Sequence, residues 1–489
     1  MKRFFSHPVL PLLAGAALRL LFVLKYPTAS GDTVLYEQFA TNWVKLGKLA
    51  MDMDGVATPV DLRMPGYPAF LATIYAITGR TGENSRLAVM LAQTLVDLAG
   101  CLVIAALAAV LVRLCGQPAK SQRVFLFALW LAALCPFIAN YAAVPLTEVW
   151  ATLLTGVAFL LLVLVAAAVA GTSIPRWRER ELSPRDVWKL AALAGFIVGV
   201  GALLRPETPL LLLTTFVALA VWMLPQREWK RWFTLCCLMG VACLVPLIPW
   251  SIRNAITLHE FQPLAPKDTT LPSEVDPKGF MAWERTWLYR VRDNYLVAWK
   301  LNDDVINLDD IPPSAFDTSE ERDRVAAVLD KYNDEVTWTR EEDAIFAQLA
   351  RERTARHPLR TYLWIPLRRA ERIWFTPRIE LLPISGHVFP LRHQREEDPV
   401  DQEMTLLFFF LNVLYVALAL WGIAKLWRCP AARLPVAMLL FYMVVRTAFL
   451  TTLETPEPRY VLVCFPAVIA FAAQVVAGRR TARQPVARL

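Results

Sequence analysis

The sequence predicts an all-α integral membrane protein, and two observations support this prediction. Hydrophobic residues make up 56% of the chain and the mean hydropathy is +0.40, whereas a soluble domain is roughly 45–50% apolar. The apolar residues also form long runs, such as 149–170. A run of about 18 apolar residues is long enough to cross the hydrocarbon of a bilayer as a helix, and a single soluble core does not need such runs.

Ten segments are predicted to span the membrane, and the total is predicted to be about ten to twelve transmembrane helices. The N-terminal segment has the basic start and apolar core of a signal peptide. Because Arg19 interrupts that core and no small-x-small cleavage site follows, it is predicted to be an uncleaved first span. The predicted spans are 8–24, 87–112, 124–139, 145–169, 189–204, 206–224, 232–250, 404–424, 434–452 and 460–477.

The distribution of positive charge in the short loops predicts the orientation, because Lys and Arg collect on the cytoplasmic side. With these spans the basic segments share one face, so that face is predicted to be cytoplasmic, with both termini inside. They are Lys2 and Arg3, 113–123, 176–189, 227–231, 425–433 and 479–488. The stretch 65–79 is apolar but short, and counting it as a span would reverse the charge bias. It is therefore predicted to be a helix at the outer interface.

The spans divide the chain into three predicted regions. Residues 1–250 form a transmembrane module with a first extracytoplasmic loop at 25–86. Residues 251–403 form a large, mixed but mostly helical extracytoplasmic loop region. Residues 404–489 form the C-terminal transmembrane helices and a basic cytoplasmic tail.

Three helical stretches are predicted in the extracytoplasmic regions. The first covers 33–48, with Asp32 as its N-cap. The second covers 319–356. The third, 357–375, alternates basic with aromatic or aliphatic residues, as interfacial helices near lipid headgroups do. Trp283, Trp287, Trp364 and Trp374 are interpreted mainly as interface anchors, with stacking on sugar rings as the alternative.

Several classes of chemistry find no support in the sequence. The eight cysteines lie in or beside apolar runs and are predicted to be buried hydrophobic residues rather than disulfides or metal ligands. The net charge of +8 is explained by basic residues at helix ends, so no nucleic-acid partner is predicted. The five histidines have no ligand spacing, and the sequence contains no GxxxxGK[ST], GxSxG or HExxH motif.

Ionisable residues at the predicted outer boundary are the candidates for function, because charges in or beside a membrane are costly. Arginines in such a set can hold an anion, and a carboxylate can take a proton. Each residue also has a simpler interpretation: Asp32 could be only a helix cap, and Arg63 only a snorkelling boundary arginine. The set comprises Asp32, Asp61, Arg63, Glu148, Arg205, Glu207, Arg253, Glu454, Glu457 and Arg459.

The sequence around these residues resembles the GT-C superfamily of membrane glycosyltransferases. The resemblance is to the bacterial protein O-mannosyltransferase and lipid A aminoarabinose transferase group, and it covers nearly the whole chain. It rests on an ordered set of motifs, none of which is specific alone. They are GDTVLYEQFA (31–40), RMPGYPAFLATIYAITG (63–79), PLTEVW (145–150), LLRPETPLLL (203–212), PWSIRN (249–254) and EPRYVLVCFP (457–466).

The resemblance implies a GT-C fold and inverting transfer of a sugar from a polyprenyl-phosphate donor to an acceptor at the outer face of a bacterial inner membrane. It implies that Asp32 activates the acceptor hydroxyl. Arg63 matches the basic residue of a K/R-P-P element that holds the lipid phosphate, although Met64 replaces the first proline. Asp61 lies near a second acid of the family but two residues before Arg63 rather than beside it.

The remaining boundary residues are assigned more loosely. Arg205, Arg253 and Arg459 are candidate phosphate-binding residues. The other site candidates are Glu148, Glu207, Glu454, Glu457 and Tyr460. The implied partners are the lipid-linked sugar donor, a glycan, lipid or protein acceptor, and membrane lipids. No cofactor is assigned, and dependence on a divalent cation is left open, because Asp32, Asp52, Asp54 and Asp61 could hold one.

Two alternative functions remain open on the sequence. A transporter or flippase of lipid-linked glycans would need charged residues near the bilayer midplane, where the predicted spans contain only Arg19, Asp97 and Arg446. A surface-polysaccharide polymerase or ligase would share the donor chemistry.

Overall fold

The structure is a computed structural model that describes residues 7–53, 55–171, 183–265, 274–376, 381–384, 386, 388, 391–392, 398–455 and 457–478. Several residues used in the predictions lie outside these ranges: Lys2, Arg3, Asp54, the loop at 176–182 and the tail at 479–488. The chain divides into two compact units. Unit 1 comprises 1–265, 379–443 and 462–489, and unit 2 comprises 266–378 and 444–461.

The described chain is mainly helical, as predicted. The helices outside the large loop are α1 (Val9–Lys25), α2 (Gly31–Leu46), α3 (Gly66–Thr78), α4 (Arg86–Leu114), α5 (Ser121–Ala133), α6 (Pro136–Ala139), α7 (Glu148–Val169), α8 (Pro184–Ala202), α9 (Leu210–Met223), α10 (Trp229–Leu244) and α11 (Ile248–Thr257). The large loop contains α12 (Lys278–Glu284), α13 (Val291–Leu296), α14 (Ser319–Glu335), α15 (Arg340–Arg356) and α16 (Ile365–Phe375). The last three are α17 (Pro399–Trp427), α18 (Pro430–Thr451) and α19 (Phe465–Ala472).

The chain is a multi-pass membrane protein. Among the described residues, six helical stretches are long and apolar enough to cross a bilayer: Gly82–Leu114, Glu148–Val169, Trp229–Thr257, Pro399–Trp427, Pro430–Thr451 and Pro458–Ala477. The other predicted spans also fall on helices, at α1, α5, α8 and α9. The total of ten to twelve spans stays a prediction.

The predicted span at 124–139 is not one straight helix. The chain bends by 51° between Pro118–Ala133 and Pro136–Ala143. Pro136 explains the break, because proline has no backbone N–H and disfavours helical geometry at the preceding residue.

The loop at 25–86 contains a β-hairpin that was not predicted from the sequence. Strand β1 (Ala50–Met53) pairs antiparallel with β2 (Val56–Pro59). The side chain of Asn42 on α2 donates to the Ala50 carbonyl and to Asp52, both at 3.0 Å. The hairpin is therefore fixed to α2.

The pair Arg19–Asp97 holds three helices together in the apolar interior of unit 1. The Arg19 Nε lies 2.7 Å from Asp97 Oδ2, and both side chains are buried. Arg19 Nη1 also donates to the carbonyls of Gly15 and Ala133. Because the guanidinium is engaged by α1, α4 and α5 together, this intramembrane pair has a structural role.

Unit 2 has its own hydrophobic core, formed by residues of α12, α14, α15 and the segments between them. Trp283 and Trp287 are each 1% exposed in that core. The interpretation of these two residues as interface anchors, or as residues that stack on sugar rings, is therefore wrong. Trp364 remains 53% exposed, and Trp374 donates to Thr447 Oγ1 at 2.9 Å.

The predicted helical stretch at 319–356 consists of two helices. Helix α14 ends at Glu335, and the residue after it, Val336, has a left-handed φ of 49°. Helix α15 starts after Thr339, whose side chain caps it by accepting from Glu342 N. Neither glycine nor proline marks this break. The stretch 357–375 is helical, as predicted, with a π-helical turn at Arg360–Trp364 followed by α16.

Candidate functional site

Asp32 and Arg63, the two residues to which the motifs assign definite roles, are in direct contact. Arg63 Nη2 donates to Asp32 Oδ1 at 2.9 Å. Both side chains keep a little over a quarter of their surface exposed, at 28% for Asp32 and 29% for Arg63. The pair therefore joins a carboxylate and a guanidinium at a place that a ligand can reach.

Asp32 lies in the first turn of α2, and the prediction that it caps this helix is wrong. The N-cap is Ser30, which forms a capping box with Thr33. The Thr33 hydroxyl also donates to the Pro145 carbonyl at 3.2 Å. The Thr33 amide donates to the Ser30 carbonyl at 3.0 Å. The Asp32 carboxylate bonds to Arg63 instead of capping the helix, while its negative charge still suits the helix N-terminus.

Arg63 is positioned by the tight contact that follows it in the chain. The Gly66 amide donates to the Leu203 carbonyl at 2.7 Å, and a Cβ on Gly66 would come within 2.5 Å of that oxygen. Met64 is buried between these two points. The start of α3 is thus fixed against the end of α8, and Arg63 lies in the short segment between the hairpin and this contact.

A second charged group forms around Arg205, in the turn between α8 and α9. Arg205 Nη2 lies 2.6 Å from Glu148 Oε1, Nε donates to Thr147 Oγ1 at 3.2 Å, and Nη1 lies 3.8 Å from Glu207 Oε1. Glu148 is nearly buried, with 3% of its side chain exposed, whereas Arg205 and Glu207 are partly exposed. Arg205 therefore neutralises Glu148.

Tyr36 connects the two charged groups and was missed in the sequence analysis. It packs with Leu146 and Leu204, the residues next to Thr147 and Arg205. Burial raises the pKa of Tyr36 above its ordinary value, and the charges of Asp32, Arg63, Glu148 and Arg205 all act on the ring hydroxyl. Asp32 and Tyr36 are four residues apart on one helix and so share a face, which is the signal that could have identified Tyr36.

Arg253 is used to hold the hairpin. Its Nη2 donates to the Leu49 carbonyl at 2.7 Å and its Nη1 to the Val60 carbonyl at 3.0 Å, which are the residues that flank the two strands. The guanidinium also lies over the Trp250 ring, 5.1 Å from its centroid. Asp61, which follows Val60, is partly buried.

An apolar cavity of about 520 Å³ lies beside these residues in unit 1. Its charged side chains are Lys48 and Arg253, Thr257 adds a hydroxyl, and the rest of its lining is mainly proline, leucine and tryptophan. The lining includes Trp43, Leu49, Pro59, Pro65, Gly66, Ala69, Leu203, Pro246, Pro249 and Trp250. Pro65 and Gly66 place one side of the cavity next to the segment that carries Arg63.

The candidates from the end of the chain lie in unit 2 and form their own group. Glu457 Oε2 lies 2.6 Å from Arg459 Nε, and Glu457 Oε1 accepts from the Tyr460 hydroxyl at 2.6 Å. Glu457 is 3% exposed. Glu454 is ion-paired with Arg285. The structure therefore joins Arg459, Glu457 and Tyr460 to one another.

The described residues do not gather a metal-binding group. Of the four aspartates considered in the sequence, Asp54 lies outside the described residues, Asp52 accepts a hydrogen bond from Asn42, Asp32 accepts one from Arg63, and Asp61 is partly buried. Within the described ranges, no group of three or more His, Cys, Asp or Glu residues is arranged to hold a metal ion.

Comparison with known proteins gives matches only among solved structures. No protein-family model matches the sequence. No curated protein matches it either. The oligosaccharyltransferase of Archaeoglobus fulgidus, solved with a tethered acceptor peptide containing the NVT sequon, is 13% identical with a TM-score of 0.49; the match covers 96% of this chain and 49% of the other. This chain thus spans about half the length of that protein.

A second structural neighbour is ArnT from Cupriavidus metallidurans bound to undecaprenyl phosphate. It is 13% identical with a TM-score of 0.41, over 96% of this chain and 77% of the ArnT chain. Both neighbours are membrane glycosyltransferases of the GT-C superfamily. The archaeal enzyme was also solved in complex with Zn and sulfate, and that structure is 14% identical with a TM-score of 0.39, over 94% of this chain and 53% of the other.

Proposed function

We propose that this protein is an inverting glycosyltransferase that moves a sugar from a polyprenyl-phosphate donor to a hydroxyl acceptor. Asp32 is the base, and the reaction takes place at the outer face of a bacterial cytoplasmic membrane. The observation that carries the proposal is the Asp32–Arg63 contact at 2.9 Å, because it pairs the residue type that takes a proton with the residue type that holds a phosphate.

The proposed reaction is a single in-line displacement. The acceptor hydroxyl attacks the anomeric carbon from the face opposite the phosphate, a new C–O bond forms, and the bond to the phosphate oxygen breaks. The hydroxyl proton passes to the Asp32 carboxylate. The polyprenyl phosphate leaves with its charge, which arginine can stabilise without donating a proton.

Arg63 has two roles in this scheme. Without donor, it neutralises Asp32, and a carboxylate bonded to a guanidinium is a poor base. A donor phosphate competes for the same N–H groups, because phosphate accepts the same forked hydrogen bonds as carboxylate. Binding of the donor then draws Arg63 away from Asp32 and increases the basicity of Asp32 when the substrate is present.

Arg205 and Arg253 are the further proposed phosphate-binding residues in unit 1. Arg205 is oriented by Glu148, Thr147 and Glu207, so it supplies a fixed positive charge. Arg253 gives three hydrogen bonds, to Val60, Leu49 and Asn254, and a guanidinium carries five N–H donors. Arg253 thus fixes the hairpin and keeps donors for an anion. Arg459, in unit 2, stays a candidate phosphate-binding residue. Asp61, Glu207, Glu454, Glu457 and Tyr460 stay candidates for sugar or acceptor contacts.

The apolar cavity beside Pro65 and Gly66 is the proposed place for the first prenyl units of the donor. A polyprenyl chain would bury apolar surface there, at roughly 25 cal/mol per Å², while its phosphate reaches the arginines at the rim. The acceptor is a hydroxyl of a glycan, lipid or protein, selected in this proposal by the region 251–403. No step is assigned to a metal ion, although one neighbour was solved with zinc.

The proposal is tested by comparing cell-envelope glycans, by mass spectrometry, in cells with the wild-type gene and with the gene deleted. One sugar should be missing from one envelope component of the deletion strain, and the corresponding polyprenyl-phosphate sugar should accumulate. Unchanged glycans with accumulation of a lipid-linked glycan on one side of the membrane would instead support a flippase.

A further inference from the structure

A small pocket of unit 1 lies between helix ends that the predicted topology assigns to the cytoplasmic face. It has a volume of about 200 Å³ and lies between the C-terminal ends of α4 and α17 and the last described residues of the chain. Its lining residues are Val112, Cys115, Gln117, Lys425, Leu426, Arg428, Cys429, Gln474, Ala477 and Gly478.

The pocket is surrounded by basic side chains. Lys425 and Arg428 line it, and the Lys120 ammonium lies 3.4 Å from the position that a Cβ on Gly478 would take. The sequence around the lining residues contains neither Asp nor Glu over 98–147, 404–453 and 458–478. Charges of one sign gathered between helix ends attract a counter-ion, and the low dielectric beside the pocket strengthens that attraction.

Two buried amide oxygens add a second, independent feature. Gln474 is 1% exposed, and its Nε2 is fixed by the carbonyls of Ala108 and Ala470. Its Oε1 is buried and receives no hydrogen bond from the described residues, and the same is true of Gln117 Oε1. Burying an acceptor without a donor is unfavourable, so a ligand that brings hydroxyl groups would relieve this cost.

The segment that follows α19 fixes the position of the Lys425 side chain. Its Nζ donates to the carbonyls of Gln474 and Val475, at 3.3 and 2.9 Å. An ammonium carries three N–H donors, so two of them fix its position and the third is left for an anion. The Lys425 ammonium is therefore fixed in position, whereas the Arg428 side chain is exposed.

We infer that this pocket binds the headgroup of an anionic phospholipid whose phosphodiester carries a hydroxylated group, as in phosphatidylglycerol. The phosphate pairs with Lys425 and Arg428, and the glycerol hydroxyls donate to Gln474 and Gln117. A phosphoethanolamine headgroup would bring an ammonium next to these cations and bind less well. Basic pockets between the ends of membrane helices are known sites for anionic headgroups.

The test uses the full-length protein, stripped of lipid in a neutral detergent, with lipid added back. Native mass spectrometry counts bound lipid, and thermal unfolding reports stabilisation. Dioleoylphosphatidylglycerol should bind and raise the Tm, whereas the phosphatidylethanolamine analogue should do neither. Arg428→Gln should weaken phosphatidylglycerol binding roughly fivefold, since one basic residue near anionic lipid contributes about 1 kcal/mol. Lys230→Gln is the matched control outside the pocket and should leave binding unchanged.

The amide oxygens are tested separately with dioleoylphosphatidylmethanol, which has the phosphodiester but lacks the hydroxyls. The wild type should prefer phosphatidylglycerol, and Gln117→Leu should remove that preference without preventing folding. Equal loss in Lys230→Gln and Arg428→Gln would show only a general surface charge and overturn the inference. Stabilisation by glycerol 1-phosphate equal to that by the lipid would overturn the assignment to a lipid headgroup.

Discussion

The Asp32 carboxylate accepts a hydrogen bond from the Arg63 guanidinium at 2.9 Å, and this contact joins the first turn of α2 to the segment before α3. The two residues are 31 positions apart in the chain. Each is held by other contacts, Asp32 by the cap at Ser30 and Arg63 by the Gly66–Leu203 contact.

Replacing Arg63 should weaken donor binding. Arg63→Ala removes charge-assisted hydrogen bonds worth about 1.5–3 kcal/mol each, so the affinity for undecaprenyl phosphate, used as the probe lipid, should fall roughly 10- to 100-fold. Arg63→Lys should recover part of the affinity, because lysine keeps the charge but not the forked geometry. Arg80→Ala, an exposed arginine at the end of α3, is the control. Unchanged affinity in Arg63→Ala would make Arg63 a boundary residue.

Removing Arg205 should destabilise the protein. Glu148 is nearly buried and depends on Arg205 at 2.6 Å. Truncating one partner of such a pair costs about 3–5 kcal/mol, because it leaves a buried charge. Arg205→Ala should therefore lower the Tm, and Glu148→Leu combined with Arg205→Met should restore it. Glycosyl transfer should stay impaired in the double variant. Full activity there would remove Arg205 from the proposed phosphate site.

A methyl group on Gly66 should displace the segment that carries Arg63. The added Cβ would lie 2.5 Å from the Leu203 carbonyl oxygen, and backbone at this position cannot move aside as a side chain can. We expect Gly66→Ala to cost about 1–3 kcal/mol and to reduce transfer more than it reduces expression. Gly240→Ala is the control, because nothing lies within 4 Å of its added Cβ. Activity that survives in Gly66→Ala would mean that Arg63 needs no such fixed support.

Stability of unit 2 should depend on the ionisation of Glu284. Burial raises the pKa of Glu284 from 4.5 to about 8, although Arg369 and Arg285 oppose the shift. The folded state then holds this proton more tightly than the unfolded chain does, so stability should fall as the pH rises from about 4.5 to 8 and then level off. Glu284→Gln should remove most of this decrease, and Glu341→Gln, on an exposed residue, should not. Thermal unfolding between pH 6 and 9 measures both. Parallel curves for Glu284→Gln and wild type would contradict the assignment.

The membrane class and the set of charged candidate residues could be predicted from the sequence, because both depend on where the apolar runs end. Placing the charged residues on one side of the predicted spans was enough to select Asp32, Arg63, Glu148 and Arg205 together. Their pairing was not accessible. Nothing in the spacing states that Arg63 contacts Asp32 or that Arg205 contacts Glu148, because these contacts depend on how α2, α3, α7 and α8 pack.

The local errors have physical reasons. Ser30 and Asp32 are both good N-cap residues, so the sequence could not decide between them, and the tertiary contact of Thr33 with Pro145 favours Ser30. The sequence does contain a signal for the hairpin. Asp54 and Gly55 separate two short segments, and Asp-Gly is a preferred pair for a two-residue hairpin turn. Gly55 has a φ of 81°. The break at Val336 had no glycine or proline to mark it.

The most direct test of the proposed mechanism measures sugar transfer by Asp32→Asn in the deletion strain, together with donor-lipid binding by the purified variant. The account predicts that the envelope sugar is not restored, since loss of a general base costs about 10²- to 10⁴-fold in rate, while the variant folds and binds undecaprenyl phosphate at least as tightly as the wild type. Asp52→Asn, in the same loop, should restore the sugar. Wild-type transfer by Asp32→Asn would contradict the account and remove Asp32 from the reaction.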